Sequence, residues 1–322
     1  MKYQWGIVGT GVIAHEMAQA LQASGRSVYA VTSGRYERAK QFGQEYHVEQ
    51  VYEQYHELLA DDAVTIVYIA TPHNLHYDMI KEALEANKHV FCEKAITVND
   101  RQLEECVALA KARNLVLSDG VTLFHMPLYK ELQRIVASGE LGPVKMVQVN
   151  FGSCKEYDVN NRFFSKELAG GALLDIGVYA TSFARFFMSS KANTVLTTAN
   201  FFETGVDETS GILLKNPDGE MAVMALTMRA KQPKRGVVAC EKGFIEIDNY
   251  PRAETATITY TQTGETKTLT LGETAKALEY EIADMEDYIT QQSDEQNLTM
   301  IRDVMSTLTS IRTQWGMVYP FE

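Results

Sequence analysis

The stretch Trp5-Gly6-Ile7-Val8-Gly9-Thr10-Gly11-Val12-Ile13-Ala14 decides how the chain is read. Trp5–Val8 is a short apolar run, the length of one buried strand. Gly9 to Ala14 follow with the pattern G-x-G-x-x-A. Gly9 permits a tight turn, Gly11 lets backbone approach a pyrophosphate, and Ala14 lets the next helix pack closely on its strand. The start of that helix offers unpaired N–H groups and a positive dipole end to phosphate. Gly9, Thr10, Gly11, Val12 and Ile13 are therefore the expected cradle of a dinucleotide.

Outward from this motif, apolar runs alternate with amphipathic stretches. Strands are expected at Val28–Thr32, Val48–Tyr52, Val64–Ala70, His89–Cys92 and Leu115–Ser118. Helical patterns between them run to Leu21 and over Glu37–Glu45, Gln54–Ala60, Tyr77–Ala86 and Asp100–Ala112. Val64–Ala70 (VTIVYIA) is apolar on both parities, as a strand covered on both faces must be. The alternation predicts a doubly wound parallel sheet, a Rossmann domain, over residues 1–122. Beyond it the pattern predicts an α+β domain over 123–322 with a large, mostly antiparallel open sheet. Its strands are expected at Lys145–Phe151, Thr194–Phe202, Ser210–Leu214, Ala222–Arg229, Gly236–Cys240, Phe244–Asp248, Thr255–Thr261 and Glu265–Leu271. Its helices are expected at Leu128–Ser138, Val178–Met188, Thr274–Gln291 and Leu298–Trp315, the last packing back on the first domain. Alternating apolar residues in Ala222–Met228 suit either a subunit-pairing face or the packing of internal helices.

A length of 322 residues fits two domains. Thirty basic against 42 acidic residues leave a net charge of −12, which argues against nucleic acid and anionic membrane surfaces as partners. A small anion needs only a local site. No signal peptide or membrane span is expected, so the chain reads as cytoplasmic. Cys92, Cys106, Cys154 and Cys240 fit no zinc or redox spacing and read as reduced thiols. His73 and His76 lack carboxylate or thiol neighbours in a ligand pattern, and no metal is expected. All seven histidines precede residue 126. The second domain must therefore move protons without imidazole.

Cofactor choice is read at Thr32-Ser33-Gly34-Arg35-Tyr36-Glu37-Arg38. An NAD site usually ends its second strand with a carboxylate for the ribose 2′-hydroxyl. Here the strand ends without one, and Ser33, Arg35 and Arg38 suit a 2′-phosphate. NADP is expected, with NAD as the alternative if both arginines are merely solvated at a helix start.

WGIVGTGVIA, ATPHNLHYDMIKEALEANKHVFCEKAITVN, LAGGALLDIGVYA, GFIEID and QWGMVYPFE occur in this order along nearly the whole chain. Together they resemble the Gfo/Idh/MocA oxidoreductase family, in particular its dimeric dihydrodiol dehydrogenase and D-xylose dehydrogenase branch. The resemblance implies hydride transfer between a nicotinamide and a small sugar, polyol or trans-dihydrodiol, in a homodimer or higher even-numbered oligomer. The family's E-K-P matches Glu93-Lys94-Ala95, which implies that Lys94 touches the substrate oxygen and the cofactor ribose. The family's G-G-x-L-x-D-x-G-x-(H/Y) matches Gly170 to Tyr179, with Asp175 and Tyr179 as its polar residues. Thr71, Pro72, Asn74, His76 and Glu93 complete the implied cofactor set. Phe151, Arg162, Phe163 and Tyr250 are candidates for the substrate wall, each equally readable as packing.

Residue chemistry agrees. Asp175 and Tyr179 at i, i+4 share one face of an α-helix. A phenol titrates at about 10, lower beside an ammonium such as Lys94. Such a group can take an alcohol proton as hydride leaves. Tyr179 is the expected proton donor and acceptor, Lys94 the polarising cation, and Asp175 the orienting carboxylate. Two departures stand out. Gly120-Val121-Thr122 differs from the family's usual run. Ala95 replaces proline, and because a non-proline cis bond costs about 2.5–4 kcal/mol, a trans bond is expected there. The alternative reading, a non-catalytic nucleotide sensor or scaffold, has no need of Lys94, Asp175 and Tyr179 together.

Overall fold

The computed structural model describes residues 3–322. It opens with β1 (Trp5–Val8), α1 (Val12–Ala23), β2 (Val28–Thr32), α2 (Tyr36–Tyr46), β3 (Gln50–Val51), α3 (Tyr55–Ala60), β4 (Ile66–Ile69), α4 (His73–Glu85), β5 (His89–Cys92), α5 (Asp100–Ala112) and β6 (Leu117–Asp119). The strands pair in parallel in the order β3-β2-β1-β4-β5-β6, the doubly wound arrangement read from the sequence. β1, β4 and most of β2 and β5 are buried, which is why these runs are apolar on both parities. Helix α4 starts four residues before the expected Tyr77. Pro72, at φ −62, already has a dihedral suited to the helix entry.

Then follow α6 (Pro127–Ala137), β7 (Val144–Gly152), a π-wound turn at Leu173–Gly177, α7 (Val178–Phe187), β8 (Thr194–Phe201), β9 (Asp207–Lys215), β10 (Met221–Thr227), β11 (Gln232–Cys240), β12 (Gly243–Asp248), β13 (Thr255–Tyr260), β14 (Thr266–Thr270), α8 (Ala277–Gln291) and α9 (Glu295–Trp315). The second sheet has the order β14-β13-β12-β11-β7-β10-β9-β8. Its pairs are antiparallel apart from β7 with β10. β11 starts four residues before the expected Gly236. A register shift between Gln232 and Arg235 accommodates Pro233, which has no N–H to give the ladder.

The chain forms two compact units. The first comprises the chain through Thr97, Arg101–Gly120 and Leu278–Leu298; the second comprises Val98–Asp100, Val121–Ala277 and Thr299–Glu322. The segment that rejoins the first unit is thus α8 with the start of α9, whereas most of the last helix stays with the second. Leu278, Ile282 and Met285 of α8 enter the core built on Trp5, Met17, Tyr68 and Phe91. Arg26 donates to both carboxylate oxygens of Glu286, at 2.8 and 2.6 Å, and so secures α8 there.

In the second unit Ala222, Met224, Leu226 and Met228 are buried, so this alternating set packs inside its own unit. On the opposite parity Val223 and Ala225 are exposed, while Thr227 is buried. Leu196, Leu213 and Val223 lie in register across β8, β9 and β10, with Leu196 61% and Val223 40% exposed. Cys92 and Cys106 are buried free thiols, and Cys154 is exposed. Among the described residues no helix is long and apolar enough to cross a membrane, and no cluster of His, Cys, Asp or Glu is placed to hold a metal.

Candidate active site

In the first unit, the G-x-G-x-x-A turn has the geometry its glycines require. Gly9 has φ +103, and a Cβ there would lie 2.6 Å from the Ala70 carbonyl oxygen of the neighbouring strand end. A Cβ on Gly11 would meet nothing within 4 Å, so this side of the turn is open to a ligand. Gly11 caps α1 with no side-chain bond to its first N–H groups, which leaves donors for phosphate. Ala14 is fully buried beneath the helix. Thr10 and Ser33 hydroxyls lie 3.3 Å apart, tying the motif to the end of β2. Arg35 and Arg38 are exposed there. Neither has an ion-pair partner among the described residues, and the nearby acid, Glu37, pairs with Lys40.

The loops after β4 and β5 are joined by two buried histidines. His73 Nε2 is 3.1 Å from the Lys94 carbonyl oxygen. His76 Nδ1 is 2.9 Å from the Ala95 carbonyl oxygen, and its Nε2 is 2.8 Å from that of Thr71. His76 thus serves the cofactor loop by bracing it, with both ring nitrogens turned to backbone. The Lys94–Ala95 bond is cis, against the expectation of trans; the carbonyls on either side of it are those held by His73 and His76. Glu93 is buried and accepts a short bond from the Tyr68 hydroxyl, so its carboxylate is directed into the sheet. Lys94, next along the chain, is half-buried. A Cβ on Gly120 would come 3.1 Å from Glu93 Oε1, so glycine makes room for that carboxylate. Asn74 Oδ1, in the first turn of α4, is buried without a hydrogen-bond partner and offers a ligand an acceptor. An open phosphate turn, two unpaired arginines and an orphaned acceptor fit a dinucleotide.

In the second unit, the Gly170–Tyr179 motif is the entry to α7. Asp175 is 7% exposed and lies in the π-wound turn; Tyr179 follows in α7. The expected plain α spacing therefore gives way to i→i+5 winding at Asp175, a feature common at functional sites. The glycines explain how other groups reach it. A Cβ on Gly170 would lie 2.7–2.8 Å from the carbonyl oxygens of Arg162, Phe163 and Ser165, so glycine lets that turn pack against the motif. Gly171, at φ +116, would place a Cβ 2.2 Å from Asp207 Oδ1. Asp207 is fully buried, and its Oδ2 accepts from the Leu173 N–H at 2.7 Å. Burial pushes its carboxyl up to about 7; the bond from Leu173 and the Arg312 guanidinium act the other way. The Tyr319 hydroxyl donates to the Gly170 carbonyl oxygen at 2.8 Å.

Around Asp175 and Tyr179 stands an aromatic and cationic wall. The Phe151 ring is 6.1 Å from that of Tyr179 and 6.2 Å from that of Tyr250. Lys155 Nζ lies 4.0 Å from Asp175 Oδ2 and 3.7 Å from the Phe163 ring centroid. Arg162 stacks on the same ring at 4.2 Å, and Lys234 lies over Phe151 at 4.7 Å. Tyr250, the fourth residue named for the wall, lies deeper. It is fully buried, packed on Phe183 at 5.1 Å, and its carbonyl accepts from the Tyr129 hydroxyl. Its ring meets that of Phe151 edge-on, and its hydroxyl is buried without a hydrogen-bond partner.

Comparison with known proteins agrees with this geometry. Residues 3–121 match the model of the oxidoreductase family with an NAD-binding Rossmann fold, and residues 129–246 match the GFO/IDH/MocA C-terminal domain. The chain is 33% identical to trans-1,2-dihydrobenzene-1,2-diol dehydrogenase of Xenopus laevis over 80% of its length and 79% of that protein's. The chain belongs to the Gfo/Idh/MocA oxidoreductase family. Its fold matches KijD10, a 3-ketoreductase of Actinomadura kijaniata solved with NADP and TDP-benzene, at a TM-score of 0.85 and 24% identity, covering 97% and 98% of the two chains. It also matches levoglucosan dehydrogenase, solved with NADH and levoglucosan, at 0.89 and 16%, covering 99% and 100%. As a member of this family the chain is a nicotinamide-cofactor oxidoreductase.

Four polar groups at the motif escaped the sequence reading: Lys155, Lys234, Asp207 and Tyr319. Lys155 and Lys234 sit in stretches without periodicity or motif. Tyr319 lies in QWGMVYPFE, which contributed to the family resemblance without indicating its partner. Asp207 starts β9 after a turn, where an acid is ordinary; only its burial marks it.

Proposed function

We propose that this family member is an NADP-dependent dehydrogenase of CH–OH groups in a small sugar, polyol or dihydrodiol. The nicotinamide, when bound, supplies the hydride acceptor or donor at its C4. Tyr179 takes the hydroxyl proton during oxidation and returns it during reduction. Lys94 polarises the substrate oxygen, and Asp175 orients the substrate through a second hydroxyl. The observation that carries the reading is the braced entry to α7. Asp207 and Tyr319 hold the turn that carries Asp175, and Phe151 packs beside Tyr179. The names of the relatives, a dihydrodiol dehydrogenase, a ketoreductase and a levoglucosan dehydrogenase, agree in reaction type.

NADP is favoured over NAD because β2 ends in Thr32-Ser33 without a carboxylate, with Arg35 and Arg38 unpaired beside it. The cofactor set is Gly9, Thr10, Gly11, Val12, Ile13, Ser33, Arg35, Arg38, Thr71, Pro72, Asn74, Glu93 and Lys94, with His76 as the brace. The row of exposed Leu196 and Val223 with half-buried Leu213 between them favours a homodimer or higher even-numbered oligomer paired through this sheet face. A cofactor-reduction screen over sugars, polyols and diols tests the reaction. Turnover that is lost in Tyr179→Phe supports it; cofactor binding without turnover of any class returns the sensor reading.

A further inference from the structure

We infer that Glu322 is a positioning residue for the entry to α7. Its carboxylate sets the turn that presents Asp175 and Tyr179 by two links: Tyr319, which bonds Gly170, and Arg312, whose charge acts on Asp207. The inference rests on reading Asp175 and Tyr179 as the reacting groups of the second unit, to which all of these residues belong. The carboxylate of Glu322 gathers donors from three residues. Its Oε1 accepts from Arg312 Nη2 at 2.6 Å and from Asn99 Nδ2 at 2.7 Å. Its Oε2 accepts from Arg312 Nη1 and from the Tyr319 N–H, each at 2.7 Å. A forked pair of this kind fixes orientation as well as charge. Burial opposes the charged form, but the bonds from Arg312, Asn99 and the Tyr319 N–H hold the carboxyl below its ordinary range.

This is not a surface ion pair, which would contribute little. The Arg312 side chain is 4% exposed and that of Glu322 11%. Arg312 also donates to the Val98 and Met317 carbonyl oxygens, at 2.7 and 3.2 Å, and its guanidinium lies over the Tyr319 ring at 4.6 Å. Glu322 thus holds Tyr319 twice, directly at its N–H and through Arg312 at its ring. The Tyr319 hydroxyl at the far end of that ring donates to the Gly170 carbonyl at 2.8 Å. The second link is electrostatic. Arg312 and Tyr319 act on Asp207, together with the backbone N–H groups of Leu173, Ala172 and Asp207 itself. Burial pushes the Asp207 carboxyl up to about 7 although Arg312 pulls the other way. Arg312 spends most of its charge on Glu322, which meets it in the forked pair. With that partner neutral, the buried guanidinium would turn to Asp207, and Asp207 would ionise at a lower pH.

The test is urea denaturation between about pH 5 and about pH 8 of wild type, Glu322→Gln, Glu322→Asp, Asp207→Asn and the double variant Glu322→Gln with Asp207→Asn. In wild type the fall of stability with rising pH should level off at about 7, where Asp207 ionises in the folded state. In Glu322→Gln it should level off about one unit or more lower. Glu322→Asp keeps the charge and should stay near the wild-type profile. The Gln change should leave the profile of Asp207→Asn unmoved. Glu322 titrates below this window and Tyr319 above it. The histidines are common to all five proteins and cancel in the differences. A merely structural carboxylate would lower stability equally at every pH. An unmoved profile in Glu322→Gln, an equal displacement in Glu322→Asp, or the same displacement on the Asp207→Asn background overturns the inference. Tyr319→Phe keeps the ring, removes the bond to Gly170 and tests the other link even if Glu322→Gln fails to fold. With a substrate from the screen, kcat should fall at least about fivefold in Tyr319→Phe while KM and NADPH affinity stay within about twofold; an unchanged kcat overturns that link. A displaced profile with no compound turned over leaves the inference standing and sinks the dehydrogenase reading. Turnover by wild type with an unmoved profile does the reverse.

Discussion

The backbone N–H of Leu173 donates to Asp207 Oδ2 at 2.7 Å, and the other oxygen of that carboxylate occupies the space a side chain at Gly171 would need. A buried carboxyl thereby faces the start of the helix that carries Asp175 and Tyr179 and accepts from its backbone. The backbone N–H groups of Ala172 and of Asp207 itself also act on this carboxyl, as do Arg312 and Tyr319, from α9 and the segment after it.

This arrangement gives a pH dependence of stability. The Asp207 carboxyl is raised from 3.8 to about 7, chiefly by burial. The folded state therefore keeps a proton that the unfolded chain loses. The stability it contributes is fully present below about 4 and is lost as pH rises through about 7. Asp207→Asn should remove this slope and keep an acceptor for Leu173. Asp207→Ala should cost about 1–3 kcal/mol by leaving a buried donor unmet. Urea denaturation from about pH 5 to about pH 8 measures both; equal slopes in wild type and Asp207→Asn would count against the assignment.

Gly171→Ala should damage the same turn. Its φ of +116 disfavours any side chain, and the added Cβ would stand 2.2 Å from Asp207 Oδ1. A loss above about 1 kcal/mol is expected, from strain at the turn and displacement of the carboxylate. Thermal denaturation at one pH reads it directly.

Tyr179→Phe keeps the ring beside Phe151 and removes the transferable proton. The value of kcat should fall by about 10²–10⁴-fold while NADPH affinity barely changes. Steady-state kinetics with the first substrate found by the screen decides this; a loss of less than about threefold would assign Tyr179 to packing.

Cofactor preference should follow Arg35. Wild type is expected to bind NADPH more tightly than NADH, and Arg35→Ala should weaken NADPH selectively, because the guanidinium meets only the 2′-phosphate. Fluorescence titration with both cofactors measures the ratio, and tighter NADH binding by wild type would overturn the reading of Ser33–Arg38.

Assembly should depend on the exposed row across β8, β9 and β10. Leu196→Asp with Val223→Asp puts two charges on a face that is apolar in the wild type. Light scattering should show the oligomer dissociating toward monomer while circular dichroism stays unchanged. A monomeric wild type at every concentration would exclude the interface.

By itself the sequence determined what short-range rules encode. The G-x-G-x-x-A turn, the apolar runs of β1, β2 and β4 and the helices between them follow from local sterics and periodicity, and all lie where their residues place them. Asp175 and Tyr179 were visible because their motif is continuous. The tertiary structure decided which distant groups meet that motif. Asp207 is 34 positions from Leu173, and Tyr319 is 149 from Gly170. Their meeting depends on where β9 begins and how the segment after α9 returns. Lys234 comes over Phe151 because β11, later in the chain, pairs with β7. The two-sided bonding of His76 likewise depends on segments after separate strands closing on each other. Period and propensity act over a few residues, whereas a buried polar group is specified by every element packed around it.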